Sequence, residues 1–349
     1  MRNLVLIVFL LSFYAAVCGQ VIRGTVLDKQ THNRIPDALV YLNGTFVRTN
    51  SDKNGKFELD ISKFSSMPLV ISARGYYSAS VSILTPGKPV VINLINKPSV
   101  TGNGIGNLSA GSKQLKEEMK IFRNIFLGTT WNARHCSILN ANDIIYICDN
   151  ADDTLKAFSS NPLILENSSL GYKAVYYLDE FAYNKKNKTF LLSGNICFEQ
   201  DLNTVGTGDD SYKAKRKEAF YNSRMYFFRS LWKNNLDSAK IRIKNPEDEF
   251  LDYDKIVYQK DSIYKYLRCP VKVVPQDEKT SSFYIVFNEA DVEYDKNGIF
   301  DPSSVSLIYP EKDICFDRAG YFDAASLSWQ GKLAEERIGD LLPYEYMFE

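Results

Sequence analysis

Two histidines and five cysteines beyond residue 19 set narrow limits on the chemistry this chain can carry. A zinc hydrolase needs two histidines and a glutamate around an open metal position. The histidines here are His32 and His135, and neither has a glutamate three residues on. His135 is followed by Cys136-Ser137-Ile138, so the acid of a metallopeptidase is missing. Serine hydrolase chemistry has no G-x-S-x-G elbow to work from. His135 beside Cys136 hints at a thiol nucleophile, but neighbours on an extended strand point to opposite faces. His135 remains a candidate base for a cysteine elsewhere in the fold. Asp291, Glu293, Asp295 and Asn297 alternate like calcium ligands. Lys296 stands where such a loop requires glycine and Pro302 where it requires glutamate, so the stretch reads as an acidic strand edge entering a turn. Cysteine zinc pairs of the C-x-x-C type are absent. No cofactor and no metal are expected.

The most suggestive polar feature is a basic segment. Lys213, Lys215, Arg216, Lys217, Arg224, Arg229 and Lys233 face only Glu218 in opposition. Tyr221, Met225, Phe228 and Trp232 recur at helical spacing along it, with Phe220, Phe227 and Leu231 adjacent. The aromatic stripe reads as core. The basic side reads as a solvated face, or as pairs with acidic strands such as Glu247-Asp248-Glu249. Its functional alternative is an anion or partner surface carried by Arg216, Arg224, Arg229 and Trp232.

These residues must be positioned by something, and the first part of the chain reads as sheet. In Lys56-Phe57-Glu58-Leu59-Asp60-Ile61, Phe57, Leu59 and Ile61 share one face and the charged residues the other. That period of two marks a half-buried strand. Further strands are expected over 21–27, 38–42, 45–49, 69–73, 78–84 and 90–94, with tight turns at Asn43-Gly44 and Asn54-Gly55. Seven or eight strands at this spacing, without a helical period, predict a β-sandwich over residues 20–97.

Residues 1–19 have the parts of an export signal: Arg2, an apolar run from Leu4 to Val17, then Val17-Cys18-Gly19. Cleavage before Gln20 is expected; the competing reading makes Cys18 a lipidated first residue. No other apolar run approaches the length of a membrane span, so none is expected in the mature chain. With 42 basic and 42 acidic side chains, nucleic acid is not favoured as a partner. Five mature cysteines, an odd number, read as mostly buried thiols with room for one disulfide.

Four stretches carry a resemblance. They are Ile22-Arg23-Gly24-Thr25-Val26-Leu27-Asp28, Ile35-Pro36-Asp37-Ala38-Leu39-Val40-Tyr41-Leu42, Thr49 to Phe57, and Ile71-Ser72-Ala73-Arg74-Gly75-Tyr76. Together they resemble the carboxypeptidase-like regulatory domain, a transthyretin-like β-sandwich of exported proteins in Bacteroidota-type bacteria. The resemblance implies a fold and an extracytoplasmic home rather than an activity. The remainder is similar to the second half of a broader group of exported proteins without an assigned activity, through Ala157–Tyr172, Ser223–Leu236 and the ending Arg337-Ile338-Gly339-Asp340-Leu341-Leu342-Pro343.

Residues 98–112, with Gly102, Gly104, Gly106 and Gly111 among Ser, Thr and Asn, read as a flexible linker. Residues 113–349 read as an α+β domain: antiparallel sheet with two or three packed helices. A helix carrying Leu115, Met119, Phe122 and Phe126 should stop at Gly128. A hairpin should turn at 184–187, with Phe190, Leu192, Ile196 and Phe198 on one buried face of its return strand. One long helix is expected over 211–236, strands over 239–243, 250–258, 266–274, 283–288, 305–309 and 313–316, and a terminal helix over 332–342.

The function expected from all this is an exported, non-enzymatic binding or assembly protein of the cell envelope, in the periplasm or at the outer membrane. Its partner would be a protein or a glycan. One alternative is a glycan-binding or glycan-processing accessory protein, testable by whether Trp131, Trp232 and Trp329 are exposed. The other is an enzyme with an unrecognised site in the second domain.

Overall fold

The alternation read in the first part of the chain is realised strand by strand in a computed structural model. It describes residues 20–82, 87–98, 113–149, 152–202, 210–236, 238–239, 241–244, 252–267, 281–287, 303–307, 314–324, 327–330 and 332–347. Residues 1–19 with Cys18, nearly all of residues 98–112, Glu247–Glu249, Cys269 and the acidic stretch from Asp291 lie outside the described residues. The chain forms two compact units: Met1–Asn43 with Val47–Lys97, and Gly44–Phe46 with Pro98–Glu349.

The first unit is a sandwich of seven described strands. β1 (Val21–Asp28), β4 (Lys56–Asp60) and β7 (Val90–Leu94) form one sheet in the order β4-β1-β7. β1 runs antiparallel to β4 and parallel to β7. β2 (Leu39–Leu42), β3 (Arg48–Asn50), β5 (Leu69–Ser72) and β6 (Ala79–Val81) form the other, in the order β3-β2-β5-β6. In β4, Phe57 and Leu59 are buried while Lys56, Glu58 and Asp60 are exposed, as the period of two requires. β2 and β5 are buried throughout, which suits their apolar runs and their central place. Gly24 lets β1 fit between its neighbours: a Cβ there would lie 2.6 Å from both the Phe57 ring and the Val90 carbonyl oxygen.

The second unit centres on a six-stranded sheet. Its strands are β8 (Cys136–Ile138), β9 (Ile145–Asp149), β10 (Thr154–Phe158), β11 (Leu163–Asn167), β12 (Tyr172–Asn184) and β13 (Thr189–Asp201). The long β12 pairs with β10, β11 and β13. Helix α1 (Lys113–Phe126) buries Phe122 and Phe126, with Leu115, Met119, Ile121 and Ile125 packed beside them. Phe122 meets Phe181 edge-on at 4.8 Å, and Phe126 meets Tyr176 at 4.9 Å. Gly128, at φ +98°, follows the helix where its sequence predicts a stop. The short α2 (Trp131–Arg134) leads into β8. Gly44–Phe46 belongs to this unit: Gly44 donates to the Ile196 carbonyl at 2.8 Å, and the Phe46 ring lies 5.7 Å from Phe198.

Four expectations for this unit need correction. Phe190 does not share the buried face of β13; it is exposed, because the far end of the β12–β13 hairpin runs past the packed region where Ile196 and Phe198 are buried. The helix expected over 211–236 is two helices, α3 (Asp210–Tyr221) and α4 (Arg224–Lys233). Ser223 breaks it by taking an extended conformation; its Oγ accepts the Tyr226 N–H at 3.0 Å and donates to the Phe220 carbonyl at 2.6 Å. Within the strand expected over 250–258, Tyr253–Ile256 form a helical turn, α5. The terminal helix divides into α6 (Lys332–Glu335) and a 3₁₀ turn, Ile338–Asp340. Gly339 is needed there for close packing: a Cβ would lie 2.6 Å from Ala133 Cα, and its N–H is donated to the Leu127 carbonyl instead of a helix partner.

The remaining strands form two smaller sheets. β14 (Ile241–Lys244), β17 (Ser281–Phe287), β18 (Ser303–Leu307) and β20 (Leu327–Gln330) make one in the order β14-β17-β18-β20. β15 (Val257–Gln259), β16 (Lys265–Leu267) and β19 (Ile314–Phe316) make the other. Phe227, Phe228 and Leu231 of α4 are fully buried against Ile256, Leu267 and Phe316. Among the described residues, no helix is long and apolar enough to cross a membrane.

Candidate functional site

The three arginines of the basic segment do not make a surface. Arg216 on α3 is buried, its guanidinium stacked 3.9 Å from the centre of the Tyr172 ring. Its Nε donates to the Leu170 carbonyl at 2.7 Å, and Nη2 to that of Gly171 at 3.2 Å. Both terminal nitrogens also grip Asp201, at 3.0 and 2.6 Å, in a bidentate fork. Arg224, at the start of α4, donates to the carbonyls of Leu333 (3.0 Å) and Glu336 (3.1 Å), while its N–H is capped by the Glu336 carboxylate at 3.0 Å. Burial lowers the Arg224 pKa and raises that of Glu336, while their mutual attraction opposes both shifts. Arg229 donates to the carbonyls of Ala319 (2.8 Å), Tyr346 (2.7 Å) and Tyr344 (2.9 Å). Trp232 is half-buried, with the Lys265 ammonium 5.2 Å from the ring centre. The four residues therefore hold separate segments of the second unit; they do not converge. Sequence shows the cations but not their acceptors, because most of those are main-chain oxygens that no residue type announces.

In the sandwich, the residues that carry the family resemblance turn out to hold it together. Asp28 ends β1 buried, and its Oδ1 accepts the N–H groups of Gln30 (2.8 Å) and Thr31 (2.7 Å). Its Oδ2 accepts from the Tyr76 hydroxyl at 2.9 Å and the Asn96 amide at 2.6 Å. The Thr31 N–H foremost, with Tyr76, Asn96 and Gln30 helping against the cost of burial, holds the Asp28 carboxyl far below the usual carboxylate range. Ser51 is buried as well: its Oγ donates to the Ile35 carbonyl at 2.7 Å and accepts the Ala38 N–H at 2.9 Å. Gly55, at φ +68°, turns the chain into β4. Sequence reading missed the Asp28–Tyr76 pairing. Its signal was the recurrence of both residues at the ends of the resembling stretches.

The residues considered for nucleophilic chemistry are separated. His32 sits at φ +57° in an exposed turn. His135 is exposed, whereas Cys136 next to it is buried, with its thiol pushed up to about 12 by burial. Burial also raises the Cys148 and Cys315 thiols. No disulfide joins the described cysteines, and Cys136, Cys148 and Cys197 are buried as their apolar settings imply. Among the described residues, no three His, Cys, Asp or Glu side chains converge as metal ligands. Of the exposed aromatics among the described residues, Trp131 on the short α2 is the most open, and its ring lies against His135 at 4.4 Å between ring centres.

No curated protein matches the chain. Among solved structures, the crystal structure of a 9R-lipoxygenase from Cyanothece PCC8801 aligns with 90% of this chain and 42% of its own length, at 10% identity and a TM-score of 0.18. The chain thus spans less than half of that protein, and a likeness so slight carries no argument. The sandwich is different: residues 22–101 match the family model of the CarboxypepD_reg-like domain, the family that Ile22–Asp28 and Ile71–Tyr76 resemble.

Proposed function

We propose that this is an exported, non-enzymatic binding or assembly protein of the cell envelope, docking through the edge of its CarboxypepD_reg-like sandwich. The observation that carries this reading is the β7 edge. Among the described strands β7 lies at the margin of its sheet, paired with β1. Val91 on it is 62% exposed, and Ile95 and Tyr77 beside it are exposed too, joined by the Tyr77 N–H donating to the Ile95 carbonyl at 2.9 Å. An edge strand with outward apolar side chains is a template for another strand. Lys88 and Pro89 guard its start and residues 95–97 are already paired with 75–77, which leaves residues 90–93 as the open stretch among the described residues. Strand addition here would draw affinity from main-chain hydrogen bonds and selectivity from the Val91, Ile95 and Tyr77 side chains.

Export is supported by the leader-like residues 1–19 and by the company the family keeps. The absence of a catalytic role is supported by how the singled-out polar groups are engaged: Asp28, Ser51, Arg216, Arg224 and Arg229 all hold backbone. The test is capture of partners by the tagged full-length protein from envelope extracts, alongside Val91→Lys. A reproducible envelope partner that is lost with Val91→Lys, while the thermal midpoint is unchanged, is the expected result. A partner held equally by both proteins would sink the edge reading. Recovery of the protein from the cytosol with residues 1–19 attached would sink export.

A further inference from the structure

Trp131 is 54% exposed, yet it is carried by one of the best-secured turns in the molecule. Thr130 caps the turn: its Oγ1 accepts the Ala133 N–H at 3.1 Å and donates to Asp340 Oδ1 at 2.6 Å. Asn132 is buried and accepts the Ser169 hydroxyl at 2.7 Å, and Ala133 has no exposure at all. The residues either side of the indole's backbone are thus anchored inward while the ring itself faces out. His135 lies against it, the ring planes tilted by 33°. The imidazole Nδ1 is 2.8 Å from the Trp131 carbonyl oxygen. A carbonyl only accepts, so Nδ1 carries the proton and Nε2 of the neutral ring is left as an acceptor. Lys215 brings its ammonium to 5.7 Å from the indole centre, and Arg134 is exposed on the same turn.

We propose that Trp131 and His135 form a stacking platform for a sugar ring of an acidic glycan, with Arg134 and Lys215 taking its carboxylate. This goes beyond the assembly reading and uses no part of the β7 edge. A rigid aromatic face held in advance loses little freedom when a ring settles on it. The indole surface left exposed beside His135 and Lys215 meets the C–H face of a pyranose, and His135 Nε2 accepts from a hydroxyl at its rim. Charge points to an acidic sugar, since both flanking side chains are cations. Lys215 also reaches Glu218 at 2.9 Å, but a partly exposed helix pair of this kind is weak and leaves the ammonium able to serve a second anion. A protein partner would want a continuous apolar patch around the indole, whereas the neighbours here are Arg134, His135 and Lys215.

The test is affinity electrophoresis of the full-length protein in gels containing polygalacturonate, with dextran as the neutral polymer. Retardation by polygalacturonate and not by dextran is expected, and Trp131→Ala should weaken it about tenfold or more. Trp131→Phe, which keeps a ring, should retain most of the binding, and Lys215→Gln should lose part of it. Because Trp131 is largely exposed, the thermal midpoint of Trp131→Ala should match wild type, which separates lost binding from lost folding. Retardation unchanged by Trp131→Ala, equal retardation in dextran, or none in polygalacturonate overturns the proposal. Val91→Lys should leave retardation unchanged, and Trp131→Ala should leave partner capture unchanged, so either reading can fail without the other.

Discussion

The two units differ in how far along the chain their buried polar side chains reach for main-chain partners. In the sandwich, the main-chain partners are near in sequence. Asp28 bonds residues two and three positions on, and Ser51 bonds residues 13 and 16 positions back. In the second unit local bonds of this kind recur, as at Ser223 and Asp317, but the arginines reach far. Arg216 goes back 46 residues to Leu170, Arg224 forward 109 to Leu333, and Arg229 forward 117 to Tyr346. Short-range bonds fix turns, and turns have sequence signatures. Long-range bonds fix the path of a chain end and have none. Charge differs too: in the sandwich carboxylates such as Asp28 and Asp52 organise loops, whereas the second unit adds guanidiniums, of which Arg224 and Arg229 bind carbonyls between residues 319 and 346.

If that contrast is right, its most severe break is Arg229→Met. The substitution keeps an apolar stem but leaves the carbonyls of Ala319, Tyr344 and Tyr346 without their donor. At about 1–3 kcal/mol for each stranded buried acceptor, with some relief from water, a loss of about 3 kcal/mol or more is expected. Urea unfolding of the full chain measures it, and the second unit's transition should move while the sandwich's does not. A shift smaller than about 1 kcal/mol would mean that Arg229 adds little to the hold that Arg224 and the apolar contacts have on the terminal segment.

The corresponding break in the sandwich is steric. Gly24→Ala places a methyl 2.6 Å from the Phe57 ring and from the Val90 carbonyl oxygen. The ring can turn aside, but the carbonyl belongs to the neighbouring strand and cannot. Overpacking of this kind costs about 1–3 kcal/mol, and it should fall on the sandwich's transition. Equal stability for Gly24→Ala would show that β7 yields there, which would loosen the edge on which the docking reading rests.

Much of this was legible in the sequence, for physical reasons that differ by region. Phe57 and Leu59 announced β4 because a half-buried strand forces alternation, and Gly128 announced the end of α1 because a left-handed residue favours glycine. The split of the 211–236 helix was legible too, had Ser223 been weighed as a cap with Tyr226 three residues on. The fate of the basic segment was not. Arg216 and Lys217 are adjacent and alike in sequence, yet one is buried and the other exposed. Only the placement of Leu170, Gly171 and Asp201 decides between them. Trp131 is the reverse case. Its exposure could not be read from a residue type that is usually well buried, and it emerges from the anchoring of Asn132 and Ala133 beneath it.

The subtlest prediction concerns acid. The Asp28 pKa is depressed in the folded sandwich, mainly by the Thr31 N–H, and returns to about 3.9 when the chain unfolds. Below that value the unfolded chain takes up a proton that the folded chain refuses, so unfolding gains as pH falls. The stabilisation from Asp28 is therefore fully present above about pH 5 and fades downward through the acid range. Asp28→Asn should keep an oxygen for the Gln30 and Thr31 N–H groups; its amide then faces the Tyr76 hydroxyl oxygen, which can accept, and the Asn96 amide, which must turn over to present its oxygen. It should thus fold, with a lower midpoint at pH 7 and a flatter decline towards pH 2. The decline is read from thermal midpoints of the sandwich transition across pH for the two proteins. Parallel curves would mean that other carboxylates set the acid limb, and that the Asp28 cluster fixes the shape of its loop without the electrostatic coupling its four donors imply.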